Sequence, residues 1–246
     1  MKITYIHHSA FMVELDSVVL LFDYTEGMIP VTDKNKPMVI FASHSHGDHF
    51  SKKILELNRE SGVIHYILSN DISKKGMDEK VLNQVLFVKP GETVLLAYGN
   101  DERAKLEIKT YRSTDKGVAF LVKGDGQVIY HAGDLNNWRW EGEPENWNKN
   151  MAKQYSAEVD KMAGMRIDAA FLPLDPRQEN AFFLGFDEFM KKTEVSHAFP
   201  MHCWGDFSVI KRLKEMEVSA PYRDRIVMIS KDGEEFLLGS ELENHG

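Results

Sequence analysis

The stretch Phe41-Ala42-Ser43-His44-Ser45-His46-Gly47-Asp48-His49-Phe50 decides how this chain is read. Three histidines and one aspartate fall within the six positions 44–49, directly after the apolar run Met38-Val39-Ile40-Phe41. That order describes a buried strand whose end turns and carries metal-ligating side chains. Imidazole and carboxylate form the nitrogen and oxygen donor set that suits zinc and related divalent metals. In extended or turning chain His44, His46 and Asp48 point one way and His49 is offset, so one loop can feed two adjacent coordination spheres. Gly47 is expected to supply the permissive backbone of the turn.

Two later strand ends repeat the device. Val128-Ile129-Tyr130-His131-Ala132-Gly133-Asp134 is an apolar strand closing on Gly-Asp, and Phe199-Pro200-Met201-His202 delivers a histidine. Alternation aims His131 away from the side used by Asp134, which makes it a core residue. His197 lies inside its strand and reads as structural. Cys203 and Trp204 flank His202, but a single thiol without a C-x-x-C partner is weak evidence for a ligand. An earlier apolar strand, Val18-Val19-Leu20-Leu21-Phe22-Asp23, also ends in a carboxylate, which is either a turn former or a functional group.

The 246 residues suffice for a substantial core, and 43% apolar with 28% charged residues is ordinary globular composition. No apolar run reaches the length of a membrane span, and the start, Met1-Lys2-Ile3-Thr4-Tyr5-Ile6-His7, lacks the apolar region of a secretory signal. The lone Cys203 excludes an intrachain disulfide and fits a reducing cytoplasm. A net charge of −8 without a basic stripe argues against a nucleic-acid partner. Bound divalent metal would cancel part of that charge locally, so a small anionic substrate stays in play.

Short strands are expected at residues 3–6, 10–15, 18–23, 38–42, 63–68, 86–88, 93–97, 105–111, 118–123 and 127–131, with hairpin turns at Asp16-Ser17 and Gly124-Asp125-Gly126. Ser51 is expected to cap a helix running to about residue 59 or 60, and a short helix is expected near 78–85. Helix and strand then alternate: a long helix within 146–165, a strand at 169–172, a helix at 186–192, a strand at 195–199, a helix capped by Asp206 through about 216, strands at 225–230 and 235–238, and a polar tail from 240. The spacing of Trp147, Met151, Tyr155, Val159 and Met162 marks a core-facing helical stripe. Two sheets covered by helices accommodate this pattern, and no linker divides it, so one domain over residues 1–246 is expected.

His44-x-His46-x-Asp48-His49 resembles the HxHxDH motif of the metallo-β-lactamase superfamily of metal-dependent hydrolases. Gly133-Asp134 is similar to the family's Gly-Asp motif, whose aspartate bridges two metals, and His202 to its last ligand. The resemblance covers nearly the whole chain in motif order and is nearest to the small lactonase-like branch. It implies a four-layer αββα sandwich, with one metal held by His49, His202 and Asp134 and another by His44, His46 and Asp134. It also implies that Asp48 serves as ligand and as proton holder for the attacking water, and that Asp23 lies beneath the ligand loop and orients it. His8, within His7-His8-Ser9-Ala10-Phe11, matches a family position at the edge of the site; without the resemblance it reads as a solvated turn histidine.

The chain departs from the pattern at one place. Where the family usually has another histidine, this sequence reads Tyr111-Arg112-Ser113-Thr114-Asp115-Lys116-Gly117. Either Asp115, or less readily Ser113 or Thr114, replaces it as an oxygen ligand, or the position is empty, or the segment is a plain turn. An oxygen donor shifts preference from Zn²⁺ toward Mn²⁺ or Fe²⁺. Trp138 and Arg139, just beyond Asp134, are candidates for an apolar wall with an anion hook, or for ordinary packing; Leu174-Asp175-Pro176-Arg177 follows another strand end. The expected activity is hydrolysis of a small ester, lactone, amide or phosphodiester by a metal-activated water at a one- or two-metal site. The alternatives are a regulatory metal-binding protein that kept the fold after losing a ligand, and a nuclease. Nothing in the sequence sets the oligomeric state.

Overall fold

Alternating apolar side chains build two sheets whose inner faces share one core. A computed structural model describes residues 1–33, 35–57, 63–99 and 104–239. In chain order the strands are β1 (Lys2–His7), β2 (Ala10–Glu14), β3 (Val19–Phe22), β4 (Met38–Ala42), β5 (Ile64–Ser69), β6 (Val85–Val88), β7 (Thr93–Ala97), β8 (Lys105–Arg112), β9 (Val118–Gly124), β10 (Gln127–His131), β11 (Arg166–Pro173), β12 (Glu194–Met201) and β13 (Glu235–Leu237). The helices are α1 (Glu79–Leu82), α2 (Glu145–Val159), α3 (Leu184–Lys192) and α4 (Ser208–Glu215). The seven-stranded sheet has the order β13-β1-β2-β3-β4-β5-β6, and the six-stranded sheet β12-β11-β10-β9-β8-β7.

The two-residue period decides which side chains meet. Phe11, Val13, Leu20, Phe22, Val39 and Phe41 face inward and join Phe120, Val122, Ile129 and Phe171 of the opposite sheet in one buried cluster. Phe11 stacks on Phe171 across the gap with ring centroids 4.2 Å apart. The intervening residues Met12, Leu21 and Ile40 face outward onto Ile54 and Ile72. On the far side of the second sheet, Tyr130 stacks on Phe189 of α3 at 4.6 Å. Helical layers thus lie outside both sheets, and the layer over the first is thin: the 3₁₀ turn at Lys52–Glu56 packs Ile54 there, and the one-turn α1 has no buried residue. The β9–β10 hairpin turns at Asp125 (φ 49°) and Gly126 (φ 76°), the paired positive φ of a type I′ turn.

Several expected elements differ. The helix after Ser51 is a 3₁₀ turn ending at Glu56; Lys52 and Lys53 start it with no acidic residue to favour the N-terminal dipole. Its expected end at 59 or 60, like the tail 240–246, lies outside the described residues. The long helix expected within 146–165 is present as α2, extended by a 3₁₀ turn at Asp160–Met162. Asp206 accepts from Ser208 N at 3.1 Å, but the cap position of α4 is Phe207, which makes no side-chain bond, so α4 starts one residue later than an Asp206 cap would give. The strand expected at 225–230 is a single bridge, Ala198 with Ile226: Ile226 and Ile229 are buried, but only one residue pair aligns with β12.

Candidate metal centre

β4 hands the chain to Ser43, and Ser43 is fixed from both sheets. Asp23, at the end of β3, accepts from Ser43 N at 2.7 Å and from Ser43 Oγ at 2.6 Å. From the other sheet Val118 N donates to Ser43 O at 2.9 Å. The backbones approach so closely there that a Cβ on Gly117 (φ 68°) would stand 2.0 Å from Ser43 O, and one on Gly133 (φ 51°) 2.6 Å from Ser43 Cβ. Gly47 has no such role: it has no positive φ, and nothing lies within 4 Å of an added Cβ. The turn is tight through its hydrogen bonds, with Phe50 N donating to His46 O at 2.8 Å and Ser45 N to Asp71 Oδ2 at 3.0 Å.

The loop ends assemble two adjoining groups of donors. His44, His46, Asp115 and Asp134 form one; His8, Asp48, His49 and His202 form the other, with the donor atoms of each group within 4.8 Å of one another. Asp134 divides its oxygens between them: Oδ2 lies 3.4 Å from His44 Nε2, and Oδ1 lies 3.1 Å from His49 Nε2 and 3.5 Å from His202 Nε2. Asp48 Oδ2 stands 3.6 Å from His8 Nε2, 3.7 Å from His202 Nε2 and 3.9 Å from His49 Nε2. Asp115 Oδ2 lies 3.5 Å from His46 Nδ1, in the place where the sequence lacks a histidine. His8 is buried within the second group rather than at a solvated edge.

The donor set fits a divalent metal on its own chemistry. His8 Nε2, His49 Nε2, His202 Nε2 and Asp134 Oδ1 are all buried without a hydrogen-bond partner. An unsatisfied buried polar atom is costly, and four converging on one point make an arrangement that a cation would stabilise. The opposite ring nitrogens are anchored, which fixes which face each histidine offers. His49 Nδ1 meets Asp23 Oδ2 at 2.7 Å, His44 Nδ1 meets Ser43 Oγ at 3.0 Å, and His202 Nδ1 meets Asp175 Oδ2 at 2.9 Å. His8 (φ 51°), Asp23 (φ 44°) and His202 (φ 64°) all adopt left-handed backbone, strain that gathers at this one place.

In the metal-free chain electrostatics keep the carboxylates ionised and pair them with the histidines. Burial pushes the Asp134 carboxyl up, but His49, His44 and His202 outweigh it and hold it well below the usual carboxylate range. Burial pushes His49 down, and the Asp134 and Asp23 carboxylates overcome it, raising His49 well above its ordinary value. His8 is lowered by burial, so its ring stays neutral. The nearby His8 ring holds the Asp48 carboxyl low. Asp175 is raised by burial but pulled down to about 2 by His202 and Arg177.

Other candidates lie apart. His131 stacks on Phe22 at 5.1 Å, and its Nε2 meets Ser9 O at 2.9 Å. His197 is half-buried with Nδ1 at 3.2 Å from Asp168 O. Cys203 belongs to neither group, and burial pushes its thiol up. Arg139 turns outward and pairs with Glu145 at 2.8 Å. Trp138 lines the site and donates its indole N–H to Asp134 O at 2.8 Å. The arginine on the cavity wall is Arg177, thirty-eight positions beyond Arg139.

A cavity of about 390 Å³ opens over His46, Asp48, Asp115, Asp134 and His202. Trp147 and Met151 line it, so the first half of the α2 stripe faces the cavity while Tyr155, Val159 and Met162 are core. A larger cleft of about 1090 Å³ lies beyond His8 and Asp48, walled by His7, Glu26, Lys53, Lys231 and Asp232; it misses most of the donor groups. The smaller cavity is therefore the one placed for chemistry. Sequence reasoning placed Asp175 and Arg177 only at a strand end that could face the same edge and missed Asp175 and Ser43 as anchors, because strand periodicity does not link Asp175 to His202, 27 positions away, or Ser43 to Asp23, 20 away.

Residues 2–145 match the model of the beta-lactamase superfamily domain. A UPF0173 metal-dependent hydrolase of Opitutus terrae is 31% identical over 148 residues, covering 54% of this chain and 63% of that protein, so this chain spans under two thirds of that relative. A UPF0173 metal-dependent hydrolase of Pyrococcus furiosus is 27% identical over 223 residues, covering 82% of this chain and 84% of the relative. Among solved structures, the metallo hydrolase Igni18 of Ignicoccus hospitalis superposes with a TM-score of 0.61 at 18% identity, over 97% of this chain and 99% of that one, a likeness of fold. The family model covers more than half of the chain, and the paired sheets carry its donor loops in order: this chain belongs to the metallo-β-lactamase superfamily.

Proposed function

We propose that this protein is a metal-dependent hydrolase of small molecules, acting on an ester, lactone or phosphodiester. The observation that carries the reading is the convergence of the orphaned atoms His8 Nε2, His49 Nε2, His202 Nε2 and Asp134 Oδ1 beside a second donor group. His8, Asp48, His49 and His202 would hold one ion; His44, His46 and Asp115 the other; Asp134 would serve both. Zn²⁺ suits the imidazoles, and the carboxylate of Asp115 also admits Mn²⁺ or Fe²⁺. Bound metal supplies Lewis acidity and an activated water near neutral pH.

The chain's own residues supply the rest. Asp48 reaches the 390 Å³ cavity and is kept ionised, so Oδ2 can accept the proton that the attacking water gives up. Trp138 and Trp204 keep bulk water from His202. The relatives' names, metal-dependent hydrolase, support the same reading. Asp115 beside His46 favours it over a regulatory protein that lost a ligand. The net charge of −8 speaks for a small substrate rather than nucleic acid. No helix among the described residues is long and apolar enough to cross a membrane, and a cytoplasmic setting is part of the proposal, resting on the lone buried Cys203.

The test is elemental analysis of protein purified without chelator, followed by a screen of lactones, phosphodiesters, esters and thioesters. One to two equivalents of a divalent transition metal and chelator-sensitive turnover are expected, both lost in Asp134→Ala. An active, metal-free Asp134→Ala protein would refute the shared-ligand role.

A further inference from the structure

All four tryptophans of the chain, Trp138, Trp140, Trp147 and Trp204, line the one 390 Å³ cavity over the donor groups. Folding does not explain this concentration. Trp147 and Trp204 keep 36% and 48% of their surface exposed, and Trp204 is held at a left-handed φ of 52°. Large indole faces left wet at a cavity mouth mark a surface meant for an apolar ligand. Trp138 and Trp140 lie parallel, 4° apart in plane with centroids at 5.9 Å, an arrangement that offers flat walls.

The same wall carries one cation. Arg177 is the only arginine or lysine lining this cavity among the described residues. Its guanidinium lies 4.2 Å over the Trp204 ring. Nε and Nη2 donate to the buried Asp175 carboxylate, Nε at 3.0 Å to each oxygen. That engages the side edge of the fork. Among the described residues Nη1 has no acceptor, so the end edge stays open for a second, bidentate oxyanion. Asp175 also accepts from Trp204 Nε1 at 3.2 Å and binds His202 Nδ1 at 2.9 Å, so one carboxylate fixes the cation, an indole and a donor histidine together.

This wall is preformed. Gln178, buried in the turn that carries Arg177, accepts from Asn136 Nδ2 at 2.9 Å and donates to Asn137 O at 2.9 Å. It thereby ties Arg177 to the loop holding Trp138 and Trp140. Gly185 lets Asn136 in: a Cβ there would stand 1.8 Å from Asn136 Oδ1.

We propose that the substrate joins a flat apolar ring to an oxyanion, the ring lying against the tryptophans and the oxyanion on the open edge of Arg177. The volume holds one such small molecule, at the low end of ligand cavities. The proposal rests on the hydrolase reading above, in which bound metal offsets Asp48, Asp115 and Asp134 at the cavity floor.

Because all four tryptophans sit in this one place, intrinsic fluorescence reports ligand binding without turnover. The full chain, as purified with its metal, is titrated with benzoate, phenylphosphonate, benzamide and acetate, and the titrations are checked by calorimetry. Benzoate or phenylphosphonate should bind at least about tenfold tighter than benzamide and acetate, the preferred one telling carboxylate from phosphoryl. Arg177→Gln should remove that preference with metal content unchanged. Trp147→Ala, at the exposed mouth, should weaken the ring-bearing probes about threefold or more and leave acetate alone. Equal binding of benzoate and benzamide, or an unaffected Arg177→Gln protein, overturns the proposal. Metal analysis of the same samples separates the two readings: under one equivalent of metal counts against the hydrolase, whatever the probes do.

Discussion

Asp23→Asn tests how the donor groups are held. Asparagine tolerates the left-handed backbone that Asp23 adopts at φ 44°, so the change acts through the side chain alone. The carboxylate accepts three short bonds, from Ser43 N at 2.7 Å, Ser43 Oγ at 2.6 Å and His49 Nδ1 at 2.7 Å. An amide group in place of Oδ2 presents hydrogens to His49 Nδ1. The neutral ring that metal binding requires must then carry its proton on Nε2, the atom that faces Asp134 Oδ1 at 3.1 Å. A protonated Nε2 cannot ligate, so a metal must force two donors together, with loss of a charge-assisted bond of about 1.5–3 kcal/mol. That corresponds to about 10–100-fold weaker metal binding. The metal-free fold loses the ionised acceptor too, about 2–3 kcal/mol, or about 5–10 °C in Tm for a chain of this size. Dialysis against a competing chelator, elemental analysis and calorimetry of metal-free samples read both. Wild-type metal affinity in a fully folded Asp23→Asn protein would refute the tautomer argument.

Asp115→Ala should cost one metal equivalent and spare the other. Asp115→His should restore it with a preference moved from Mn²⁺ toward Zn²⁺, measured by loading from a mixture. Gly117→Ala drives a Cβ to 2.0 Å from Ser43 O at a positive φ and should destabilise by at least ~3 kcal/mol, whereas Gly47→Ala, with open space around it, should melt like the wild type; thermal scans compare them. His49, raised above its ordinary 6.5, stabilises the metal-free fold fully below about pH 6.5, and that contribution is lost as pH rises through the folded value. Urea midpoints of chelated protein should therefore fall on going alkaline; a midpoint that rises instead contradicts the His49–Asp134 pairing.

The sequence carried the strand ends well, because a buried strand closing on a ligand is a local pattern: β4 into His44, β10 into Asp134 and β12 into His202 each span a few residues. Asp23 closes a strand in the same way, but that pattern left turn former and functional group open, and only the resemblance placed it beneath the ligand loop. Asp115 stood open because a Ser-Thr-Asp loop is equally a turn, and only its approach to His46, sixty-nine positions away, distinguishes the two. The α2 stripe shows what periodicity omits. It puts Trp147, Met151, Tyr155 and Val159 on one face but does not say that the face runs off the core and over a cavity. Arg139 and Arg177 were equivalent as loop arginines; Glu145 and Asp175 sort them, and both pairings depend on tertiary geometry.

The seam at Ser43 also bears on how long the molecule lasts. His8, His44, His46, Asp48 and His49 follow strands of the seven-stranded sheet, whereas Asp115, Asp134 and His202 follow strands of the six-stranded one. His202 N reaches across to His8 O at 3.3 Å, Val118 N to Ser43 O at 2.9 Å and His131 Nε2 to Ser9 O at 2.9 Å, and packing supplies the rest of the clasp at that edge. An ion held by both groups is a removable cross-link between halves. At a thousandfold excess over its dissociation constant it adds ~4 kcal/mol to the joined state. Parting the sheets then requires the ion to leave, so metal supply sets the rate at which the chain opens to proteases.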